Sequence, residues 1–233
     1  MKQKHSWEIT DGFWEVAKPL LPKKERDSNK EYKRKAGGGR RPMEPRNVLE
    51  AIFYLLPTGI QWNALPKSFG SSSSIHRYFL FWCDKGFFQA LWVAGLEEYD
   101  EVKGIEWRWL SGDGCMTKAP LALESVGKNP TDQGKNGSKR HMLVDGAAVP
   151  LAIVVPGATR HDGSQLEAVV DSIVIERPDI FESPQDLCLD KGYTGEGALE
   201  TVVLRGFIPH IRSRGAEKAE KIYTTVGIKP EDG

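Results

Sequence analysis

Near Trp107 the spacing of apolar residues changes from helical to strand-like, and this switch limits the chain to a helical segment followed by a sheet-bearing one. Before the switch, Val48, Leu49, Ile52, Phe53, Leu55 and Leu56 recur at helical spacing behind Pro42 and Pro45, and Pro57 is expected to stop the helix. Thr58 and Gly59 read as a turn, and the stretch through Trp62, Leu65 and Phe69 is short, aromatic and broken by Pro66. Ser71 to Ser74 offer an N-cap for a second helix carrying Ile75, Tyr78, Phe79 and Trp82, closed by Gly86. A third helix fits residues 87 to about 102, with Leu91, Trp92 and Leu96 as its apolar positions. These helices suit a helix-turn-helix-like module or an ordinary small bundle with no groove-reading element.

Beyond the switch, Trp107, Trp109 and Ser111 alternate with Arg108 and Leu110, His141 to Asp145 is short and apolar, and Pro150 to Pro156 is nearly all aliphatic. These are three expected strands, with Gly146 in the turn between the last two. A helix over residues 163–175, a strand 187–189, a helix 197–204 and a strand 207–211 complete the pattern. Three hairpin-like strands followed by helix, strand, helix and strand make a mixed sheet flanked by helices, an α+β arrangement. The expected domains are 1–103 and 104–233.

Composition excludes several classes. The 39% apolar and 27% charged fractions rule out a wholly disordered chain or a collagen-like fibre. Cys83, Cys115 and Cys188 are far apart and form no CxxC pair, which points to a reducing compartment and away from a structural zinc site. No run reaches the ~18 uncharged apolar residues of a membrane helix, and the N-terminus lacks a signal-peptide core, so no membrane partner is expected.

Net charge is zero, which at first argues against a polyanionic partner. Position changes that reading: residues 1–103 carry a net of +4 and residues 104–233 a net of −4. The excess is densest over residues 23–46, where ten basic residues, among them Lys33, Arg34, Lys35, Arg40, Arg41 and Arg46, face four acidic ones. Such an arm suits either a solvated loop or a phosphate backbone.

Asp113 is expected just past the first strand, in Ser-Gly-Asp-Gly, and Asp190 at the end of the fourth, in Leu-Cys-Leu-Asp-Lys-Gly-Tyr. Either acid alone suits a turn. As a pair on neighbouring strands they would lie about 4.8 Å apart, and the repulsion between them would be relieved by a divalent cation with oxygen ligands, most simply Mg²⁺. Metal held this way serves phosphodiester chemistry.

The stretches Asp113-Gly-Cys-Met-Thr-Lys-Ala-Pro, Gly127-Lys-Asn-Pro-Thr-Asp, Gly137-Ser-Lys-Arg-His, Val144-Asp-Gly, Pro150-Leu, Gly157-Ala-Thr-Arg-His-Asp-Gly and Leu189-Asp-Lys-Gly-Tyr, in this order, closely resemble bacterial insertion-sequence transposases of the IS5/IS4-like DDE group. Gly39-Arg-Arg-Pro, Ala51-Ile-Phe-Tyr-Leu-Leu, Thr58-Gly-Ile-Gln-Trp and Leu65-Pro-Lys-Ser-Phe-Gly resemble the helical domain that precedes the core in that group. The resemblance runs from about Trp7 to Arg214. It implies an RNase H-like catalytic core with three acids, Asp113 matching the first and Asp190 the second, with Mg²⁺ or Mn²⁺ as cofactor. Tyr193 matches the tyrosine after the second acid. The implied reaction is metal-dependent hydrolysis at the transposon end, then attack of the freed 3′ hydroxyl on target DNA, by a homo-oligomer working on double-stranded DNA in the bacterial cytoplasm and nucleoid. Lys128, Lys135, Lys139, Arg140, His141, Arg160 and His161 stand in the linking motifs as candidate phosphate contacts or as a solvated hairpin edge.

The third acid of that group is a Glu in an Arg- and Trp-rich segment beyond the fifth strand, and the sequence to Gly233 holds no such segment. Glu196 and Glu200 directly follow the second acid, and Glu217 and Glu220 lack the neighbours. Pro57 and the run Leu121-Ala122-Leu123 are smaller departures. The expectation is a C-terminally truncated chain, weak or inactive in catalysis, since ligand misplacement of ~1 Å costs on the order of a hundredfold in rate. With the covering helix missing, one sheet face should expose apolar surface. Three functions follow: a transposase, a DNA-binding remnant or frame product competing with a complete enzyme, and an unrelated metal-dependent phosphoesterase.

Overall fold

The structure is a computed structural model and describes residues 7–23, 31, 41–119, 124–130 and 132–211. Its contacts divide the chain into Met1–Gly95 and Leu96–Gly233.

The first unit is helical: α1 (Asp11–Leu20), α2 (Pro45–Thr58), α3 (Ser72–Asp84) and the start of α4 (Phe87–Lys103), inside which the division falls. The apolar spacing had not suggested α1, whose start is set by the Thr10 hydroxyl accepting from the Phe13 N–H at 3.2 Å. Pro45 opens α2, and Gly59, left-handed at φ 62°, closes it. The expected stop at Pro57 comes late. The proline sits inside the last turn, where the Thr58 hydroxyl donates to Tyr54 O and the Gly59 N–H to Leu55 O.

Residues 59–71 link α2 to α3 through two single 3₁₀ turns, a longer link than the tight turn of a helix-turn-helix. Ser71 is the N-cap of α3 but makes no side-chain capping bond. Val48, Leu49, Ala51, Ile52, Ile75, Trp82 and Phe87 form the core of this unit, with the Trp82 ring against those of Tyr78, Phe87 and Phe88. Each buried Leu or Ile there stabilises the unit by roughly 1.5–3 kcal/mol.

The second unit is built on a six-stranded mixed sheet of β1 (Trp109–Lys118), β2 (Gly127–Lys128), β3 (Asn136–Val144), β4 (Pro150–Val154), β5 (Gln185–Leu189) and β6 (Phe207–Ile211), with α5 (Leu166–Asp171) and α6 (Glu196–Leu204) in its connections. The order is β2-β3-β1-β5-β6, with β4 also on β3; β1, β3 and β4 run antiparallel, and β5 and β6 run parallel to β1. Three antiparallel strands extended by two parallel ones give the RNase H-like core.

Several extents differ from expectation: β3 starts at Asn136 rather than His141, β5 at Gln185 rather than Leu187, and β4 stops at Val154. β1 continues to Lys118 because β3 pairs with it as far as Gly137, and the short β2 joins the far end of β3. α5 stops at Asp171, where the Ser172 hydroxyl takes Val169 O and the Val174 N–H turns to Leu151 O on β4.

Alternation along the strands sorts the two faces. Leu110, Leu143, Leu151, Leu187 and Phe207 are buried, as are Leu166, Val169 and Val170 of α5 and Ala198 and Val202 of α6, whose helices touch the sheet and each other. On the opposite face Trp109, Met142, Ile153 and Ile208 remain exposed, at 36–46% of their surface. The Trp109 ring lies against that of His210, with centroids 5.0 Å apart.

Candidate active site

Parallel pairing of β1 with β5 ends at Gly112 opposite Leu189, so Asp113 and Asp190 are the next residues on two adjacent strands. Asp113 lies within β1 rather than past its end, because the ladder to β3 continues there (Asp113 opposite Met142) after the ladder to β5 has stopped. Both acids are exposed. A backbone amide holds each carboxylate: Gly114 N–H donates to Asp113 Oδ1 at 2.7 Å, and Gly192 N–H to Asp190 Oδ1 at 2.9 Å. By alternation Asp113 is on the open face with Met142, Arg140 and Cys115, while Gly114 turns to the covered face with His141.

Beneath the acids lies a buried polar group. His141 is wholly buried and its Nδ1 lies 2.6 Å from the Tyr193 hydroxyl. Burial is the chief cause lowering the His141 pKa, and burial, then the charges of Asp162, Asp190 and Asp113, push that of Tyr193 well above the usual phenol range. Both groups are therefore neutral and share one hydrogen bond, and the other ring nitrogen, Nε2, lies 3.8 Å from Asp162 Oδ1. Lys139, also buried, donates from Nζ to the same oxygen at 2.8 Å.

Lys139 and His141, candidate phosphate contacts by sequence, are turned inward and face Asp162 and Tyr193. The Arg46 guanidinium donates to Asp11 Oδ1 at 2.7 Å and to Ile9 O at 2.6 Å, tying α2 to the start of α1. Arg41, Lys128, Lys135, Arg140 and Arg160 are exposed. His161 caps a 3₁₀ turn (Asp162–Gln165), its Nδ1 accepting from the Gly163 N–H at 3.2 Å. Lys33, Arg34, Lys35, Arg40, Leu121, Ala122, Leu123, Glu217 and Glu220 lie outside the described residues, as does the side chain of Glu196.

Asp162 and Arg77 escaped the reading of the sequence. Asp162 stood in a quoted motif, but in a loop, where an acid next to Gly reads as a turn former. Arg77 joins Arg41, Ser74, Tyr78 and Phe81 around a cleft of about 300 Å³ in the helical unit.

Two exposed, hard carboxylate donors just beyond the end of the β1–β5 ladder fit a divalent cation of the Mg²⁺ or Mn²⁺ type. Among the described residues no group of three or more His, Cys, Asp or Glu side chains is arranged to hold one.

Residues 9–92 match the family model described as "Putative transposase of IS4/5 family", and residues 113–229 match that of the "Transposase DDE domain". The chain belongs to the IS4/5-type DDE transposases. Membership implies dependence on a divalent metal. This transposase is 34% identical over 99 residues to a "Putative transposase for insertion sequence element IS402" of Burkholderia cepacia, across 40% of its own length and 45% of the relative's. It thus spans less than half of that relative. A 16.2 kDa protein of the IS402 element, from the same organism, is 28% identical over 126 residues, across 52% of this chain and 80% of the relative. Among solved structures, the Mos1 mariner paired end complex with Mn aligns over 83% of this chain and 68% of that one, at 9% identity and a TM-score of 0.33. Among the described residues no helix is long and apolar enough to cross a membrane.

Proposed function

We propose that this chain binds double-stranded DNA at transposon ends and carries out metal-dependent strand cleavage and transfer, acting as a homo-oligomer in the bacterial cytoplasm and nucleoid. The observation that carries the reading is the register that ends β1–β5 pairing at Gly112 and Leu189 and so sets Asp113 beside Asp190.

Asp113 and Asp190 would hold Mg²⁺ or Mn²⁺. Such an ion supplies positive charge and Lewis-acid polarisation at a phosphodiester. The remaining work is done by the chain's own groups. The Gly114 and Gly192 amides keep the two carboxylates oriented. Arg140 shares the open face with Asp113, and exposed Lys128, Lys135 and Arg160 offer further cations to phosphates. In the helical unit Arg41 and Arg77 frame a cleft that suits a phosphate backbone.

A second reading, a chain that occupies transposon ends without cutting, is favoured by one fact: no third ligand joins Asp113 and Asp190 among the described residues. Duplexes taken from the ends of the element that encodes the chain separate the two readings. Strand nicking with Mg²⁺ or Mn²⁺ that is abolished in Asp113→Asn and Asp190→Asn, with DNA retention unchanged, supports the first. Retention without nicking selects the second, and neither retention nor nicking overturns both.

A further inference from the structure

Asp162 opens the 3₁₀ turn that leads into α5, and its carboxylate lies against Gly114 of β1 and Gly192 of the turn after β5. A Cβ on Gly114 would meet Asp162 Oδ1 at 2.9 Å. One on Gly192 would meet Asp162 Oδ2 at 2.7 Å and Asp190 Oδ1 at 3.0 Å. These are the two glycines whose amides hold Asp113 and Asp190. We propose that Asp162 is a positioning residue for the metal site: packed against Gly114 and Gly192, it sets the two amides that orient Asp113 and Asp190. The inference rests on the metal-site reading above.

Charge and facing separate this role from direct ligation. Asp162 Oδ1 is taken by the Lys139 ammonium at 2.8 Å, in a pair whose side chains are 7% and 25% exposed. The ammonium compensates a third carboxylate that would otherwise repel Asp113 and Asp190. Gly114, against which Asp162 packs, faces the covered side of the sheet, whereas Asp113 faces the open side. Both glycines are needed for the close approach, since any side chain at either position would occupy the space of the Asp162 oxygens.

The test is Mn²⁺ affinity, read by electron paramagnetic resonance on the 233-residue protein, together with thermal melting. The variants are Asp113→Asn, Asp162→Ala, Asp162→Asn, Gly114→Ala and the double variant Gly114→Ala with Asp162→Ala. Asp162→Ala is expected to weaken Mn²⁺ by roughly tenfold to a hundredfold, the range for partners that orient ligands. Asp162→Asn keeps wild-type affinity, because the amide fills the same space and its carbonyl still accepts from Lys139. Gly114→Ala also weakens Mn²⁺ and lowers Tm; in the double variant the clash with Asp162 Oδ1 is gone while the approach to His141 Nδ1 at 3.0 Å remains, so the two losses add only in part. Wild-type affinity in Asp162→Ala, losses that add in full in the double variant, or an Asp162→Asn as weak as Asp113→Asn would each overturn the proposal, the last by making Asp162 a ligand. If the wild type takes up no Mn²⁺, or Asp113→Asn leaves uptake unchanged, the metal-site reading is what fails. The wedge is then judged by melting alone: fully additive Tm losses sink it and losses that add only in part sustain it.

Discussion

The Tyr193 hydroxyl and the His141 imidazole meet at 2.6 Å with both side chains almost fully buried, a neutral pair beneath two exposed carboxylates. Burial lowers the His141 pKa first of all, and the Lys139 charge adds to it, against the opposing pull of Asp162, Asp113 and Asp190. The folded state therefore takes up a proton at His141 less readily than the unfolded chain does at its ordinary 6.5. Stability from this group is complete above that pH and declines as pH falls below it. Calorimetric Tm should drop on acidification below about pH 6.5, and by less in His141→Gln. An identical pH dependence in the two proteins would count against the buried neutral imidazole.

Removing the hydroxyl alone leaves Nδ1 buried without its hydrogen-bond partner. Tyr193→Phe is expected to cost about 1–3 kcal/mol in urea unfolding, the range for an orphaned buried polar group. A cost near zero would mean that the Tyr193–His141 contact is not a hydrogen bond that matters.

Two glycines should respond to alanine differently. At Gly112 the added Cβ meets Leu189 Cδ2 at 2.6 Å, the tip of a side chain that can rotate away, whereas at Gly157 it meets the Val126 backbone oxygen at 2.6 Å. Overpacking at Gly112 is expected to cost about 1–3 kcal/mol. Gly157→Ala should cost more, because the backbone has to move. Equal or reversed losses in urea unfolding would contradict this.

Arg41 and Arg46 separate binding from folding. Arg46→Gln should lower the Tm of the protein, since three groups of the helical unit, Ile9, Asp11 and Glu50, lose their cation, while the salt dependence of DNA retention stays as in wild type. Arg41→Gln should leave Tm unchanged and reduce the slope of log K against log salt by about 0.9 for one lost phosphate contact. Mobility shifts at several salt concentrations decide; an unchanged slope for Arg41→Gln removes it from the DNA contact.

The open sheet face should tolerate charge. Ile153→Lys and Ile208→Lys, at positions 39% and 46% exposed, are expected to change unfolding free energy by no more than about 0.5 kcal/mol. Leu151→Ala, on the covered face, should cost about 2–5 kcal/mol. A large loss for either lysine variant would show that the face is covered in solution.

Much of this layout was legible along the chain. Helical spacing marked α2, α3 and α4, alternation marked the strands, and the acids at Asp113 and Asp190 stood out because glycines and apolar strand residues flank them. α1 was missed because no long apolar pattern marks it; its capping bond from Thr10 is local, but its packing is not. The far half of β1 was missed because Cys115, Met116 and Thr117 have no strong alternation; they are in a strand only because β3 lies alongside. For Lys139, His141 and Arg46, basic residue type suggested phosphate contacts and carried no sign of the burial or internal hydrogen bonds that the fold gives them.

What the amino-acid sequence determined by itself was local: where the apolar period changes, roughly where three of the helices and the main strands run, which acids stand beside glycine next to apolar strand residues, and the ordered motifs of a DDE transposase. What only the tertiary structure decided was which residues meet. Asp113 and Asp190 are neighbours because β5 pairs with β1 in one register and not the next, and a slip of one residue would turn either acid to the other face. Asp162 acquires its place because the loop after β4 brings it beneath Gly114 and Gly192. Such meetings depend on contacts between segments far apart in the chain, and periodicity, which is a property of neighbours, carries no information about them.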